Sequence, residues 1–296
     1  MRNFRYSLLF ISIVFLAGCG ISRQTAELQG KAETAYHDKD YREALSHYEE
    51  LIELKKERGQ EVSGKTYFDA GMAAWHSDES PKAVEYLREA HRNGVASEQS
   101  YYILAIGYRE IDNLSLELTN LEAYAENYPK GEKSDYIHAR LFEVYIEISR
   151  YEEALGLWPL IEEDAGRDAG LLEGYFELNR QLDREEELEP IARRLLALDA
   201  NNKIALEYLA EHYFWTAENR YQDEMKAYER NRTRRQYRQL LDALDEINEQ
   251  FKISRDYFER LYNAEPNGHY ASYLKNIYIR FGNEERAEYY RRRENR

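Results

Sequence analysis

The chain of 296 residues has one cysteine, five prolines and fifteen glycines. A single thiol excludes an internal disulfide framework and a multi-thiolate zinc site. So few backbone breakers argue against a turn-rich β architecture and for helices. Cations are also in deficit: 41 Lys and Arg stand against 56 Asp and Glu, for a formal net charge of −15. That balance argues against sequence-independent nucleic-acid binding, which rests on neutralising phosphates, so no nucleic-acid partner is expected. No apolar run reaches the roughly 20 residues of a membrane-spanning helix. What the chain has in excess is tyrosine, 27 residues, set among Leu and Ala at helical spacing. The expected class is all-α.

The lone cysteine has an informative neighbourhood. Arg2 and Arg5 precede an apolar run from Leu8 to Leu16, which closes as Leu16-Ala17-Gly18-Cys19. Small residues before the thiol let a peptidase grip the extended chain, and the thiol is then free to be acylated. An ordinary secretory signal shares the basic start and the apolar run, with Ala17 in its cleavage site. The full order resembles the lipobox of bacterial lipoproteins. That resemblance implies a signal peptide over 1–18, a lipid on Cys19 and a short tether over 19–25. It also implies membrane attachment through the lipid in a bacterial cell envelope. Gly20 stands after the cysteine where an aspartate would signal inner-membrane retention, so the outer membrane is expected.

From residue 26 onward the chain repeats itself. Asp40-Tyr41-Arg42-Glu43-Ala44-Leu45 is echoed by Ser149-Arg150-Tyr151-Glu152-Glu153-Ala154-Leu155. Weaker echoes begin at Ser80 and Gly282. Each opens a helix with a small alanine, and each follows another amphipathic helix, such as Tyr67–Trp75 or Tyr101–Tyr108. Tyr67, Ala70, Gly71 and Ala74 before Ala83, Leu87 and Ala90 resemble the tetratricopeptide repeat (TPR), a helix–turn–helix unit of about 34 residues. So do Leu141 and Tyr145 before Ala154, Trp158 and Ile161. The resemblance implies a right-handed α-solenoid of about seven helix hairpins over 26–296. Small residues let paired helices approach, and aromatics fill the grooves between neighbouring pairs.

The sixth unit is too long for the repeat. No proline or glycine occurs between Asn201 and Glu265, and helical spacing runs through Tyr221, Met225 and Tyr228, then Tyr237, Leu240, Leu244, Ile247 and Phe251. Two extended helices over 203–266 are expected, turning near Asn231-Arg232-Thr233. The tip is basic, with Lys226, Arg230, Arg232, Arg234, Arg235 and Arg238 in an otherwise acidic chain. It reads either as a solvated end paired with Glu224 or Glu229, or as a contact for an acidic partner or anionic lipid.

TPR arrays bind extended peptides or partner helices on the face lined by each first helix. Carried over, those positions are Tyr36, Phe68, Met72, Trp75, Tyr102, Arg109, Tyr136, Glu143, Glu147, Glu173, Glu177, Glu207, Glu211 and Trp215. The early ones are mostly aromatic and the later ones acidic. Trp75 and Trp215 read equally as packing between repeats.

One literal catalytic-type motif needs disposal. Gly59, Gly64, Lys65 and Thr66 match G-x-x-x-x-G-K-[ST], a phosphate-binding loop, but that loop follows a strand, and Tyr48–Lys56 is helical by spacing. It reads as the turn between the first two repeats. The histidines show no H-x-x-x-H spacing, and there is no G-x-S-x-G elbow. The expectation is a non-enzymatic, cofactor-free and metal-free scaffold whose partners are envelope proteins or peptide segments. A glycan- or ligand-binding lipoprotein is the alternative.

Overall fold

The computed structural model describes residues 23–295. Cys19 and the expected signal peptide lie outside those residues. The described residues form fourteen helices and no strand. They are α1 (23–37), α2 (Tyr41–Glu57), α3 (Gly64–His76), α4 (Ser80–Arg92), α5 (Glu98–Glu110), α6 (Leu114–Asn127) and α7 (Ser134–Glu147), followed by α8 (Tyr151–Ala165), α9 (Ala169–Gln181), α10 (Glu185–Leu198), α11 (Lys203–Arg230), α12 (Arg234–Ala264), α13 (Gly268–Arg280) and α14 (Glu284–Arg291). They follow one another as seven sequential pairs, the expected all-α array of TPR-like hairpins. The sixth pair is the lengthened one, with helices of 28 and 31 residues. Among the described residues no helix is long and apolar enough to cross a membrane.

One turn recurs through the chain. In six of the pairs three residues join the helices, and the central one is left-handed: Lys39, Asp78, Asp112, Ser149, Asp183 and Gly282, with φ between 53° and 67°. The amide after each donates back five residues, as Asp40 to Ala35, Glu79 to Ala74, Asn113 to Tyr108, Arg150 to Tyr145, Arg184 to Asn179 and Asn283 to Tyr278. That bond satisfies a carbonyl at the end of one helix. The same third residue caps the next helix: Asp40, Asn113 and Asn283 accept from an amide in its first turn. The turns α2–α3 and α4–α5 place Gly59 and Gly94 in the left-handed region instead. The phosphate-loop lookalike is therefore a helix-to-helix turn, and Lys65 Nζ sits 2.6 Å from Asp69 Oδ2.

The described residues divide into two compact units, with the boundary between Val144 and Tyr145. In the first, one core runs from Ala32 to Tyr108. Helices approach closely wherever small residues allow: a Cβ on Gly71 of α3 would lie 2.7 Å from Leu87 Cγ of α4. A Cβ on Gly107 of α5 would collide with Val84 of α4. Ala44 and Ala83 are fully buried. Glu117, 2 % exposed, is neutralised by Arg140, whose Nε and Nη2 lie 2.6 and 3.2 Å from its two oxygens. In the second unit the Trp158 and Tyr175 rings stack at 3.8 Å, and a core extends from Leu206 to Tyr290.

The surplus of tyrosine and glutamate has a structural use. Phenols on one helix donate to carboxylates on another: Tyr86 to Glu49, Tyr124 to Glu98, Tyr213 to Glu189, Tyr270 to Glu207 and Tyr278 to Glu259. The ring is buried at Tyr124, Tyr270 and Tyr278 and half-buried at Tyr86 and Tyr213, while the hydroxyl reaches a charged acceptor at the edge of the packing, a stronger bond than a neutral one.

Three expectations on stability follow from this geometry. Gly71→Ala forces Leu87 aside and destabilises the chain by about 1–3 kcal/mol. Gly156→Ala in α8, where an added Cβ meets nothing within 4 Å, gains up to about 1 kcal/mol of helix propensity. Urea unfolding of both variants checks the contrast. Ser149→Gly relieves a left-handed non-glycine residue, and after the entropy of glycine is subtracted a net gain of about 1 kcal/mol is expected, read as a higher denaturant midpoint.

Candidate functional site

α11 presents Glu207, Glu211, Trp215 and Glu218 at spacings of four, four and three, which places them on one helix face. Asn202 caps this helix, accepting from Ala205 N at 3.0 Å. α13 presents His269, Tyr273, Asn276 and Arg280 at the same kind of spacing, after the Asn267 cap. The two helices are the first members of successive hairpins, and side chains bridge them along their length. Tyr270 donates to Glu207, His269 Nε2 lies 3.0 Å from Glu211 Oε1, and Arg280 pairs with Glu218. Between these polar bridges the Tyr273 ring meets Phe214 edge-on at 4.7 Å and Trp215 at 6.4 Å. Burial, reinforced by Glu207, pushes the Tyr270 phenol up; burial, then Glu211, does the same to Tyr273. Tyr270 is the donor to Glu207, while the Tyr273 hydroxyl accepts from the Trp215 indole.

The result is a groove with two recesses. One, of about 530 Å³, is lined by Phe214, Trp215, Glu218, Tyr221, Asn276, Ile279 and Arg280. Trp215 is 49 % exposed and Ile279 43 %, so two large apolar side chains face open space at its rim. The second, of about 430 Å³, has Glu185, Glu207 and Glu211 beside Phe176, Leu188 and Ile204. A roomier recess of about 660 Å³ beside α1 and α2 is lined by small and charged residues such as Gly30, Asp38 and Glu43. It offers an apolar side chain little to bury against.

Other candidate positions take various places. In the first unit Tyr102 meets Tyr136 edge-on at 5.5 Å, and Arg109 donates to the Tyr136 hydroxyl at 3.3 Å. Tyr36, Phe68 and Trp75 are half-buried against the core. Met72 corrects the expectation of an exposed groove residue. It is 4 % exposed, because α3 is packed by α2, α4 and α5, and its side chain belongs to the core. The glutamates are less available than expected. Glu143 pairs with Arg140 at 2.8 Å, Glu173 accepts from Asn202 at 2.5 Å, and Glu177 pairs with Arg180. Glu147 is exposed. Ile279 and Arg280 were missed in the sequence, although the helical spacing from His269 to Arg280 marks the same face. Among the described residues no group of His, Cys, Asp and Glu is arranged to hold a metal ion.

No protein-family model matches the chain, and no curated protein matches it significantly in sequence. Solved structures do resemble it. A putative protein binding protein from Bacteroides ovatus ATCC 8483 is 19 % identical, covers 75 % of this chain and 99 % of its own, and has a TM-score of 0.50. At that identity the likeness establishes the helical-repeat fold. A tetratricopeptide repeat protein from Parabacteroides merdae ATCC 43184 covers 90 % of this chain and 91 % of its own at 14 % identity and a TM-score of 0.40. YrrB, a TPR protein with an unusual peptide-binding site, covers 64 % and 96 % at 15 % identity and a TM-score of 0.45.

Arg280 supports the groove from behind. Its guanidinium pairs with Glu218 and lies 4.4 Å from the Tyr221 ring centroid and 4.9 Å from that of Phe251. Arg280→Ala is expected to cost about 2 kcal/mol, since it removes ring contacts and strands a half-buried carboxylate. Glu218→Gln, which keeps the ring contacts, is expected to cost less. Thermal unfolding of the two variants makes the comparison.

Proposed function

We propose that the chain is a non-catalytic scaffold that binds an extended segment of a partner protein across α11 and α13. The observation that carries this reading is the pair Trp215 and Ile279, both large, apolar and exposed over one recess. Interface anchors have this character: a few bulky side chains beside a pocket, ringed by polar groups that are already satisfied. The ion pairs and phenol–carboxylate bonds on either side supply that ring. The helical-repeat fold supports the reading, because stacked hairpins leave their first helices side by side as an extended surface.

The finer reading places this scaffold in a bacterial cell envelope, at the outer membrane, through a lipid on Cys19. The basic start, apolar run, Ala17-Gly18 and single cysteine support it. The lipid confines the scaffold to partners in or beside the same membrane.

Trp215→Ala combined with Ile279→Ala is expected to lower capture of the crosslinked envelope partner at least about tenfold, as loss of two anchors implies, with an unchanged unfolding midpoint. Undiminished capture overturns the groove assignment, as does saturable oligosaccharide binding at Trp215 with no protein captured. Separately, Cys19→Ser is expected to release the chain from the membrane fraction. Persistence there in cells lacking the partner overturns the anchor and leaves the groove untouched.

A further inference from the structure

The tip of the α11–α12 hairpin carries charge that the rest of its unit leaves unanswered. Between Lys226 and Arg238 six residues are basic and one, Glu229, is acidic, in a chain of net charge −15. Lys226 has a carboxylate neighbour, Asp223 at 3.8 Å. Among the described residues, the side chains of Arg230, Arg232, Arg234, Arg235 and Arg238 make no ion pair or hydrogen bond, and all five residues are exposed. The pairing with Glu224 or Glu229 that would make the tip an ordinary solvated end is not formed.

The placement works against stability. Arg234 and Arg235 occupy the first turn of α12, where the helix already presents positive charge, and no acidic residue stands with them. The same chain obeys the opposite rule elsewhere: Glu185, Glu186 and Glu187 open α10, and Glu284 and Glu285 open α14. Lys65, Lys82 and Lys203 also stand in first turns that hold no acidic residue, but each is paired, with Asp69, Glu49 and Glu265. A broken local rule with no compensating pair, as at Arg234 and Arg235, marks a site kept for another reason. From Ala217, the last buried residue of α11, to Arg230 the helix runs about 20 Å, so the tip lies beyond the packed core, with Glu218, Asp223, Glu224 and Glu229 along that stretch.

We infer that this tip docks end-on against a surface of anionic lipid headgroups. The arginines come from the end of one helix, the linker and the start of the next, and Arg232, Arg234 and Arg238 line one recess of about 680 Å³ with Tyr228 and Tyr237, a concave basic end of the size of a headgroup. Guanidinium groups match phosphate with paired donors. The apolar component fits the same surface. Tyr228 and Tyr237 rings lie 5.8 Å apart beside these arginines, and Tyr237 and Leu241 are 49 % and 44 % exposed. Tyrosine and leucine flanked by cations are the composition of a membrane–water interface. The inference stands on the tip alone and needs neither the lipid on Cys19 nor the groove.

The test uses the full-length chain carrying Cys19→Ser, co-sedimented with phosphatidylcholine vesicles with and without phosphatidylglycerol. The N-terminal residues are common to every arm. The chain is expected to prefer the anionic vesicles, and to lose that preference at high salt. Replacing the five tip arginines with glutamine is expected to lower binding to them about 100-fold or more. Arg291→Gln with Arg292→Gln, which removes cations already paired with Glu288, is expected to leave it unchanged. Unaltered helical circular dichroism confirms that the variants fold. Equal sedimentation of the parent chain on both vesicles overturns the inference, as does a retained preference after the five replacements. Binding of a polyglutamate peptide through the same arginines, without vesicle preference, also overturns it and assigns the tip to an acidic protein segment.

Discussion

The left-handed three-residue turn is the constraint on which the rest of the molecule depends. A helix hairpin buries its apolar stripe only if its two arms return at a fixed angle and register. Here the same back-bond, from the third turn residue to the carbonyl five residues earlier, closes six turns at Lys39, Asp78, Asp112, Ser149, Asp183 and Gly282. Three aspartates tolerate the left-handed conformation through their short polar side chains. With the turn fixed, alanine and glycine on the facing surfaces become obligatory, as Gly71 against Leu87 shows.

The second requirement is to join helices whose outer surfaces are strongly acidic. Phenol-to-carboxylate bonds meet it. Each lets a large ring pack between helices while its hydroxyl binds a glutamate that would otherwise add to the repulsion. Tyr270 and Glu207 are 63 residues apart in sequence, yet their bond fixes α13 against α11. The composition of the chain, rich in Tyr and Glu and nearly without Cys, is the composition this linkage needs.

Much of this was legible in the sequence. Periodicity located the hairpins, and the absence of Pro and Gly from Asn201 to Glu265 located the long pair and its turn at 231–233. The face of a helix was legible; what covers that face was not. Met72 and Trp75 both fit the pattern of the α3 inner surface, but three neighbouring helices enclose Met72 and leave Trp75 half open. The glutamates illustrate the same gap. Charge at Glu173, Glu177, Glu207 and Glu211 suggested a binding surface; Arg180 is an i,i+3 partner of Glu177 within one helix, while Asn202, Tyr270 and His269 reach the other three only through the fold. Cys19 was read from the sequence, and it lies outside the described residues.

The long hairpin brings the groove and the basic tip onto one element. Glu207 through Glu218 lie in the first sixteen residues of α11, and Arg230 ends it. A 28-residue helix spans about 42 Å, and α12 packs along it through Leu240, Ala243, Ile247 and Phe251. No proline or glycine interrupts either helix, so nothing in them acts as a hinge. An object held at the tip therefore sets the height and tilt of the Trp215–Ile279 recess. An ordinary repeat of this array, with helices of about 13 residues, has no comparable reach. On the proposed reading of the groove and the tip, the added length of the sixth hairpin is a spacer between them.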